Sequence, residues 1–524
     1  MRRLKSVPLC AVLNLFLAVT WAAPATSRVK VESGVLEGPA NSDRSVRVFK
    51  GVPYAAPPVG NLRWKEPQPP ATWKGVREAD AFGARCFQPS LFSDMVFRDA
   101  GMSEDCLFLN VWTPVTARQL PVLVYFHGGG FGAGSGDEPR YDGENFARKG
   151  VVVVTVNYRL GVFGFLAHPE LTAESPHQAS GNYGMLDQAA ALRWVERNIA
   201  AFGGEPKKVT IGGESAGSFA VSALMASPLS RKLFRGAIGE SGAMFSTGTG
   251  TLAAQPLATA EYSGVEFAAA AGAKSLAELR VKTADDLVRV SSPGGQVRFT
   301  PIVDGYFLPD TPVSIYSQGR QSHVPLLAGW NADEVRMGVL MANPKPSAET
   351  LAARLGAAFG DQADAALKLY PASNDEEALR SAGDLASDQF IDYCTWKWID
   401  LQVKTSKAPV YRYQFDRAVP LPAGMPDRGM KGLAGHSWEL EYVFGALDSK
   451  QAAWQPEDRK TSEIMAEYFA NFIKTGDPNG ESLALWPAFG KSHEVMHLDA
   501  ASHRAPEEHR DRYEFVDEYY RVHP

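Results

Sequence analysis

The chain has 524 residues, 45% of them apolar and 21% charged, which is an ordinary globular balance with ample material for a large core. The net charge of −6 is modest, and no run of like charge occurs. Nothing here offers the clustered basic face that nucleic-acid binders present.

At the N-terminus, Arg2, Arg3 and Lys5 precede an apolar stretch, Val7–Val19, that is too short to anchor in a bilayer. Small residues follow at Ala22, Ala23 and Ala25. Residues 1–25 therefore read as an export signal, and Cys10 leaves with it. No later apolar stretch is long enough to span a membrane. The expected protein is exported, periplasmic or secreted, and has no stable membrane anchor. Length alone would admit about three domains. There is no internal repeat or low-complexity linker, so a single catalytic domain over 26–524 is expected.

The mature chain opens with alternating segments at Val29–Leu36 and Val46–Phe49, read as an antiparallel meander. A Pro-rich wrap runs from Pro53 to Pro70. Cys86 and Cys106 are separated by a short polar loop in an exported chain, which predicts a disulfide. The runs Val122–Phe126, Val151–Val156, Val209–Ile211 and Ala237–Gly239 look like buried parallel strands. Among them lies the helix Met185–Ala201, with Leu186, Ala189, Leu192, Trp194, Val195 and Ile199 on one face. Strand-like runs return at Val324–Ala328 and Val410–Phe415, with a mostly helical Ser347–Val403 between them. Cys394, among Phe390, Ile391, Trp396 and Trp398, reads as a core thiol. The amphipathic Thr461–Lys474 ends at Gly476 and Pro478. Strands alternating with helices predict an α/β fold, a large, mostly parallel sheet covered on both faces.

Chemistry is concentrated at Gly213-Glu214-Ser215-Ala216-Gly217, directly after the run Val209–Ile211. This is a G-x-S-x-G nucleophile elbow, a sharp strand-to-helix turn that lifts a serine hydroxyl above a sheet. Side chains at 213 or 217 would collide with the neighbouring strand and helix. A serine alkoxide is too basic to exist free at neutral pH. It needs a histidine to take its proton, a carboxylate to hold that histidine, and donors for the oxyanion. The donors are expected from His127-Gly128-Gly129-Gly130-Phe131, which follows the strand Val122–Phe126, and from the N–H after the nucleophile. Gly129, Gly130 and Ala216 are the expected oxyanion hole. Of the later histidines, His323 comes too early, and His493, His497, His503, His509 and His523 fall in a charged C-terminal stretch. His436 sits in a Gly-His-Ser turn that can present its ring to a cleft. Spacing leaves the acid open among Asp333, Glu334 and Asp304.

These segments, with others in the same order, resemble the type-B carboxylesterases, the family that includes the cholinesterases. The resemblance rests on Phe49-Lys50-Gly51-Val52-Pro53-Tyr54-Ala55, Ser103-Glu104-Asp105-Cys106-Leu107-Phe108-Leu109-Asn110-Val111, Gly181-Asn182-Tyr183-Gly184, Thr475-Gly476-Asp477-Pro478-Asn479 and Trp486-Pro487. It covers nearly all of the mature chain and implies the α/β-hydrolase fold. It implies Glu334 as the acid, and His436 as the histidine preceding the run Glu439-Leu440-Glu441-Tyr442-Val443-Phe444-Gly445. It also implies that Cys86–Cys106 is the family's first disulfide, that Ser241 supports the acid, and that Glu214 is a buried carboxylate beside the nucleophile.

This chain departs from the family in three places. The loop between Cys86 and Cys106 has no Trp, which weighs against choline esters, because cholinesterases bind the quaternary ammonium there by cation–π attraction. Val335 follows Glu334 where Gly is usual. Ser437-Trp438 follow His436 where Gly and a variable residue are common. Trp330 and Trp438 read equally as pocket lining or as core. The expected activity is hydrolysis of a small-molecule ester, small or bulky, through an acyl-enzyme, with no metal and no organic cofactor. The rival substrates are carbamates, amides and lipid esters. The rival of another class is a catalytically inactive adhesion or binding protein. A monomer and a homodimer are both compatible with the sequence.

Overall fold

A computed structural model describes residues 26–245, 252–291, 299–421, 424, 427 and 429–523. The expected signal, with Cys10, lies outside them. Ten strands build the central sheet. In chain order they are β1 Val46–Pro53, β2 Phe108–Pro114, β3 Leu120–Phe126, β4 Val152–Val156, β5 Gly204–Glu214, β6 Gly236–Glu240, β7 Leu326–Asn331, β8 Val410–Phe415, β9 Glu494–Leu498 and β10 His503–Pro506. Across the sheet the order is β10-β9-β8-β7-β6-β5-β3-β4-β2-β1. The stretch from β4 through β3 to β9 is parallel, and antiparallel pairs close both edges. This is the expected α/β-hydrolase architecture.

The central strands are apolar on both faces because helices cover both. All five residues of β4, Val-Val-Val-Thr-Val, are buried, and each valine so placed contributes roughly 1.5–3 kcal/mol of burial. Helix α1, Tyr183–Asn198, contains most of the predicted helix; its last turn, Ile199–Phe202, tightens to 3₁₀. Helix α2, Ala216–Ala226, is buried along its whole length, which suits its run of Ala, Gly, Ser and larger apolar residues. Helices α3, Asp375–Ser387, and α4, Tyr393–Thr405, are joined through a π-helical turn at Asp388–Asp392. Helix α5, Pro456–Thr475, stops at Gly476, which takes a left-handed φ of 82°.

The N-terminal segments pair antiparallel in sequence, but the first is divided. Val29–Leu36 is not one strand but the two sides of a hairpin, Thr26–Val31 and Gly34–Pro39, turning at Glu32-Ser33. Gly34 permits the turn: its φ is +154° and a Cβ there would strike the Trp73 ring. The hairpin pairs with Val76–Glu78 in a small separate sheet, whereas β1 leaves it to pair with β2. Cys86 and Cys106 are bonded as expected. The Cys394 thiol is buried on α4, 3.2 Å from the Ile391 carbonyl oxygen. Among the described residues, no helix is long and apolar enough to cross a membrane.

Candidate active site

Strand β5 ends at Glu214, and the chain turns at Ser215 with φ 53° and ψ −123° before α2 begins. A non-glycine residue with positive φ is strained, and two backbone bonds hold this one. The Ser215 N–H donates to Glu240 O on the next strand (2.9 Å), and its carbonyl accepts the Phe219 N–H (2.9 Å). The flanking glycines do what the sequence requires of them. A Cβ on Gly213 would lie 2.5 Å from the Gly217 carbonyl carbon and 2.8 Å from Phe126 O. One on Gly217 would lie well within van der Waals contact distance of Phe126 O.

Two loops then meet across the sheet edge. The first, Asn331–Glu334, continues from β7; the second carries Ala434-Gly435-His436. Asp333 N–H donates to Ala434 O (2.9 Å), Ala434 N–H to the Asp333 carboxylate (3.0 Å), Asn331 Nδ2 to Gly435 O (2.7 Å), and His436 N–H to Glu334 O (3.3 Å). This lacing sets the imidazole between two groups far apart in sequence. His436 Nε2 is 2.9 Å from Ser215 Oγ, and His436 Nδ1 is 2.6 Å from Glu334 Oε2. The other Glu334 oxygen accepts the Asn331 N–H at 2.7 Å. The ring of Phe390, on the π-helical turn, packs edge-on to the imidazole with centroids 5.6 Å apart.

The remaining candidates go elsewhere. Asp304 folds back on its own turn, accepting the N–H groups of Tyr306 (3.2 Å) and Leu308 (2.9 Å). Asp333 serves the loop contact and pairs with Arg336 (3.1 Å). His323 bonds Gly319 O, and His497 bonds Asp416. Trp330 is core, stacked under the Arg412 guanidinium 4.2 Å away. Trp438 packs over its own turn, 3.3 Å from where a Gly435 Cβ would be.

The glycine loop lies against the elbow. A Cβ on Gly128 would be 2.7 Å from a Glu214 carboxylate oxygen and 3.2 Å from Ser215 Cβ. Gly129 and Gly130 have φ of 101° and 63°, and the space where a Gly130 Cβ would project is open. Ala216 opens α2, where the first-turn N–H groups have no acceptor within the helix. His127 is buried, stacked on Tyr158, with Nδ1 2.8 Å from Gly128 O; burial pulls its pKa down to about 4, so it is neutral.

Beneath the histidine lies a group of carboxylates that sequence reasoning recovered only in part. Glu214 Oε1 accepts the Ser437 hydroxyl at 2.6 Å and lies 3.3 Å from His436 Nε2. Glu439 bonds Asn331 Nδ2 at 2.5 Å, and Glu240 accepts the Tyr125 hydroxyl at 3.1 Å. Burial first, and then repulsion from Glu439 and Glu214, raises Glu240; burial, and then Glu214 and Glu334, push Glu439 up to about 8. Burial also raises Glu214, against the pull of His436 and the Ser437 hydrogen bond. Burial works against the His436 imidazolium, but Glu214 and Glu334 outweigh it and hold the ring above its ordinary value. The Ser241 hydroxyl points at Glu439 (3.5 Å), which is linked to Glu334 through Asn331. Asn331, Ser437, Glu240, Glu439 and Phe390 were not among the predicted residues. Glu439 had a signal as the first residue of the run after His436, and Ser437 as a departure from the glycine common there. Among the described residues, no cluster of three or more His, Cys, Asp or Glu could hold a metal ion.

Residues 25–516 match the model of the Carboxylesterase family. A fumonisin B1 esterase of Sphingopyxis macrogoltabida is 38% identical over 493 residues, 89% of this chain and 85% of that one. A para-nitrobenzyl esterase of Bacillus subtilis is 36% identical over 486 residues, 90% of this chain and 94% of that one. Among solved structures, the carboxylesterase EST55 of Geobacillus stearothermophilus superposes with a TM-score of 0.81 at 34% identity, covering 93% of this chain and 99% of that one. The chain belongs to the carboxylesterase family and is a hydrolase acting on carboxylic ester bonds.

Proposed function

We propose that the protein hydrolyses organic esters through an acyl-enzyme formed on Ser215. The observation that carries this is the continuous chain Glu334 Oε2–His436 Nδ1 (2.6 Å) and His436 Nε2–Ser215 Oγ (2.9 Å). As Ser215 Oγ attacks the ester carbonyl, its proton passes to His436 Nε2. The Glu334 carboxylate holds Nδ1–H and stabilises the imidazolium. The N–H groups of Gly129, Gly130 and Ala216 receive the oxyanion. His436 then protonates the departing alcohol. Water next attacks the acyl carbon, giving its proton to His436, which returns it to Ser215 as the acid leaves.

The substrate is a small-molecule ester, and the reading extends to bulky esters of xenobiotic or natural-product type. Two relatives support this breadth: one is named for fumonisin B1, the other for para-nitrobenzyl esters. The protein is read as exported through residues 1–25, with the domain 26–524 mature. Replacing Ser215 with Ala tests the mechanism. Hydrolysis of p-nitrophenyl esters and labelling by an organophosphonate probe are both lost while the fold is kept. Turnover retained in that variant removes Ser215 from its role. A panel of esters, carbamates and anilides assayed side by side separates the substrate classes.

A further inference from the structure

Ser437 occupies a backbone position where a side chain is a liability. Its φ is 65°, a left-handed conformation that glycine adopts freely and serine adopts only with strain. The side chain is nevertheless engaged, with its hydroxyl donating to Glu214 Oε1 at 2.6 Å. That same oxygen lies 3.3 Å from His436 Nε2, the nitrogen that faces Ser215 Oγ at 2.9 Å. A single carboxylate oxygen is therefore shared between the serine after the histidine and the atom that carries the proton in catalysis.

We propose that Ser437 is a positioning residue that occupies Oε1 of the Glu214 anion beside His436 Nε2, weakens its pull on the imidazolium, and so sets the pH below which the site is inactive. This rests on the reading of His436 as the catalytic base. A hydrogen bond donated to a carboxylate stabilises the ionised form more than the protonated one. The working state has Glu214 ionised and the imidazole neutral, so that Nε2 can accept the serine proton. Adding a proton to His436 weakens the demand for the Ser437 hydroxyl, because the imidazolium then competes for the same Glu214 oxygen. The hydroxyl therefore favours the neutral, active imidazole. Without it, Oε1 is free to accept the Nε2–H of the imidazolium and so stabilise the inactive form.

Glu334 and Glu439 face the imidazole from the two laced loops. Glu240, at the end of β6, and Arg140, from the turn Pro139–Tyr141, act on Glu214. The phenols of Tyr125, Tyr141, Tyr158 and Tyr413 lie near Glu214 and stay neutral in the working range, because burial raises each of them.

The test is the pH profile of kcat/KM on a p-nitrophenyl ester for Ser437→Gly and Ser437→Ala. The glycine variant relieves the backbone strain, so its folding is protected; the alanine variant keeps the Cβ and removes only the hydroxyl. In both, the acidic limb moves to higher pH by about half a unit to one unit. The same substitutions in a Glu214→Gln background leave the limb where Glu214→Gln alone puts it. The proposal is overturned by a limb that stays put or moves down in both single variants, or by a shift of undiminished size in the Glu214→Gln background. His436→Ala, assayed alongside, separates the two readings. Full turnover there sinks the role of His436, whereas dependence on His436 with an unmoved limb sinks only the role of Ser437.

Discussion

Glu334 divides its two oxygens between His436 and Asn331: Oε2 takes the imidazole Nδ1–H at 2.6 Å, and Oε1 takes the Asn331 backbone N–H at 2.7 Å. The carboxylate is thus anchored by the strand end that supplies it and cannot swing away from the ring. The charge is what an amide lacks. In Glu334→Gln the anchoring bond survives, but the imidazolium loses its counter-charge and its tautomer is no longer enforced. The expected result is a fall in kcat of about 10³–10⁴ with little change in KM. Thermal unfolding of the variant stays close to that of the parent. Steady-state kinetics on a p-nitrophenyl ester check the prediction, and a loss below tenfold contradicts it.

Two glycine substitutions separate packing from chemistry. In Gly217→Ala the new Cβ is driven into Phe126 O, a backbone atom that cannot move aside. A stability loss of roughly 1–3 kcal/mol is expected, with inactivation following from the displaced elbow. In Gly130→Ala the Cβ meets open space, so the backbone cost at its φ is about 1–2 kcal/mol at most. The methyl group instead enters the space a substrate carbonyl must approach, and kcat/KM falls more than stability does. Urea midpoints measured beside kcat/KM distinguish the two, and equal losses in both variants contradict the distinction.

The parts of the fold that could be read from the sequence were those whose burial leaves a one-sided signature. Val410–Phe415 is buried except at Gln414, and the valine run of β4 throughout, so their residue types alone mark them as strands. Strand β2, Phe108–Pro114, was visible only as a family motif, because Asn110 and Thr113 interrupt its apolar pattern. Both are buried and spend their polar groups on Gly136 O, Thr155 and Phe202 O. Strand β9 was hidden in a charged C-terminal stretch, where Glu494 and His497 are only partly buried. In the site, Ser215 and the glycine loop announce themselves through local backbone demands. The choice of Glu334 over Asp333 is not local: it depends on which carboxylate faces His436 once the two loops are laced. Asn331 matters through contacts that exist only after that closure, so residue type carried no sign of it; Ser437 stood out as a departure from glycine, but its contact with Glu214 did not.

The disulfide loop supports the glycine loop from the side. Gln88 bonds Gly134 in both directions, at 2.9 Å and 2.8 Å, and Met95 reaches to 3.0 Å from where a Gly129 Cβ would stand. Cys86–Cys106 closes this loop over a separation of 20 residues, and a cross-link of that span is worth about 3 kcal/mol in chain entropy. Replacing both cysteines with serine is expected to lower the unfolding midpoint and raise KM more than it lowers kcat, because the loop that borders the glycine turn loosens while the triad stays. Differential scanning fluorimetry and Michaelis kinetics on the double variant decide it. An unchanged midpoint contradicts the structural role.

The pH dependence follows from the carboxylates beneath the histidine. The imidazole must be neutral to accept the Ser215 proton, so kcat/KM rises with pH through the histidine's ionisation. Burial disfavours the imidazolium, but Glu214 and Glu334 overcome this and raise its pKa, which places the acidic limb above the ordinary histidine range. Glu214→Gln removes one negative charge 3.3 Å from Nε2. The imidazolium is then less stabilised, its pKa drops, and the limb moves to lower pH by about one unit or more. The plateau falls as well, since the same charge stabilises the imidazolium in the transition state. Activity is therefore extended to more acidic solution at the cost of maximal rate. A limb that moves upward in Glu214→Gln shows that Glu214 does not act on His436 as an anion.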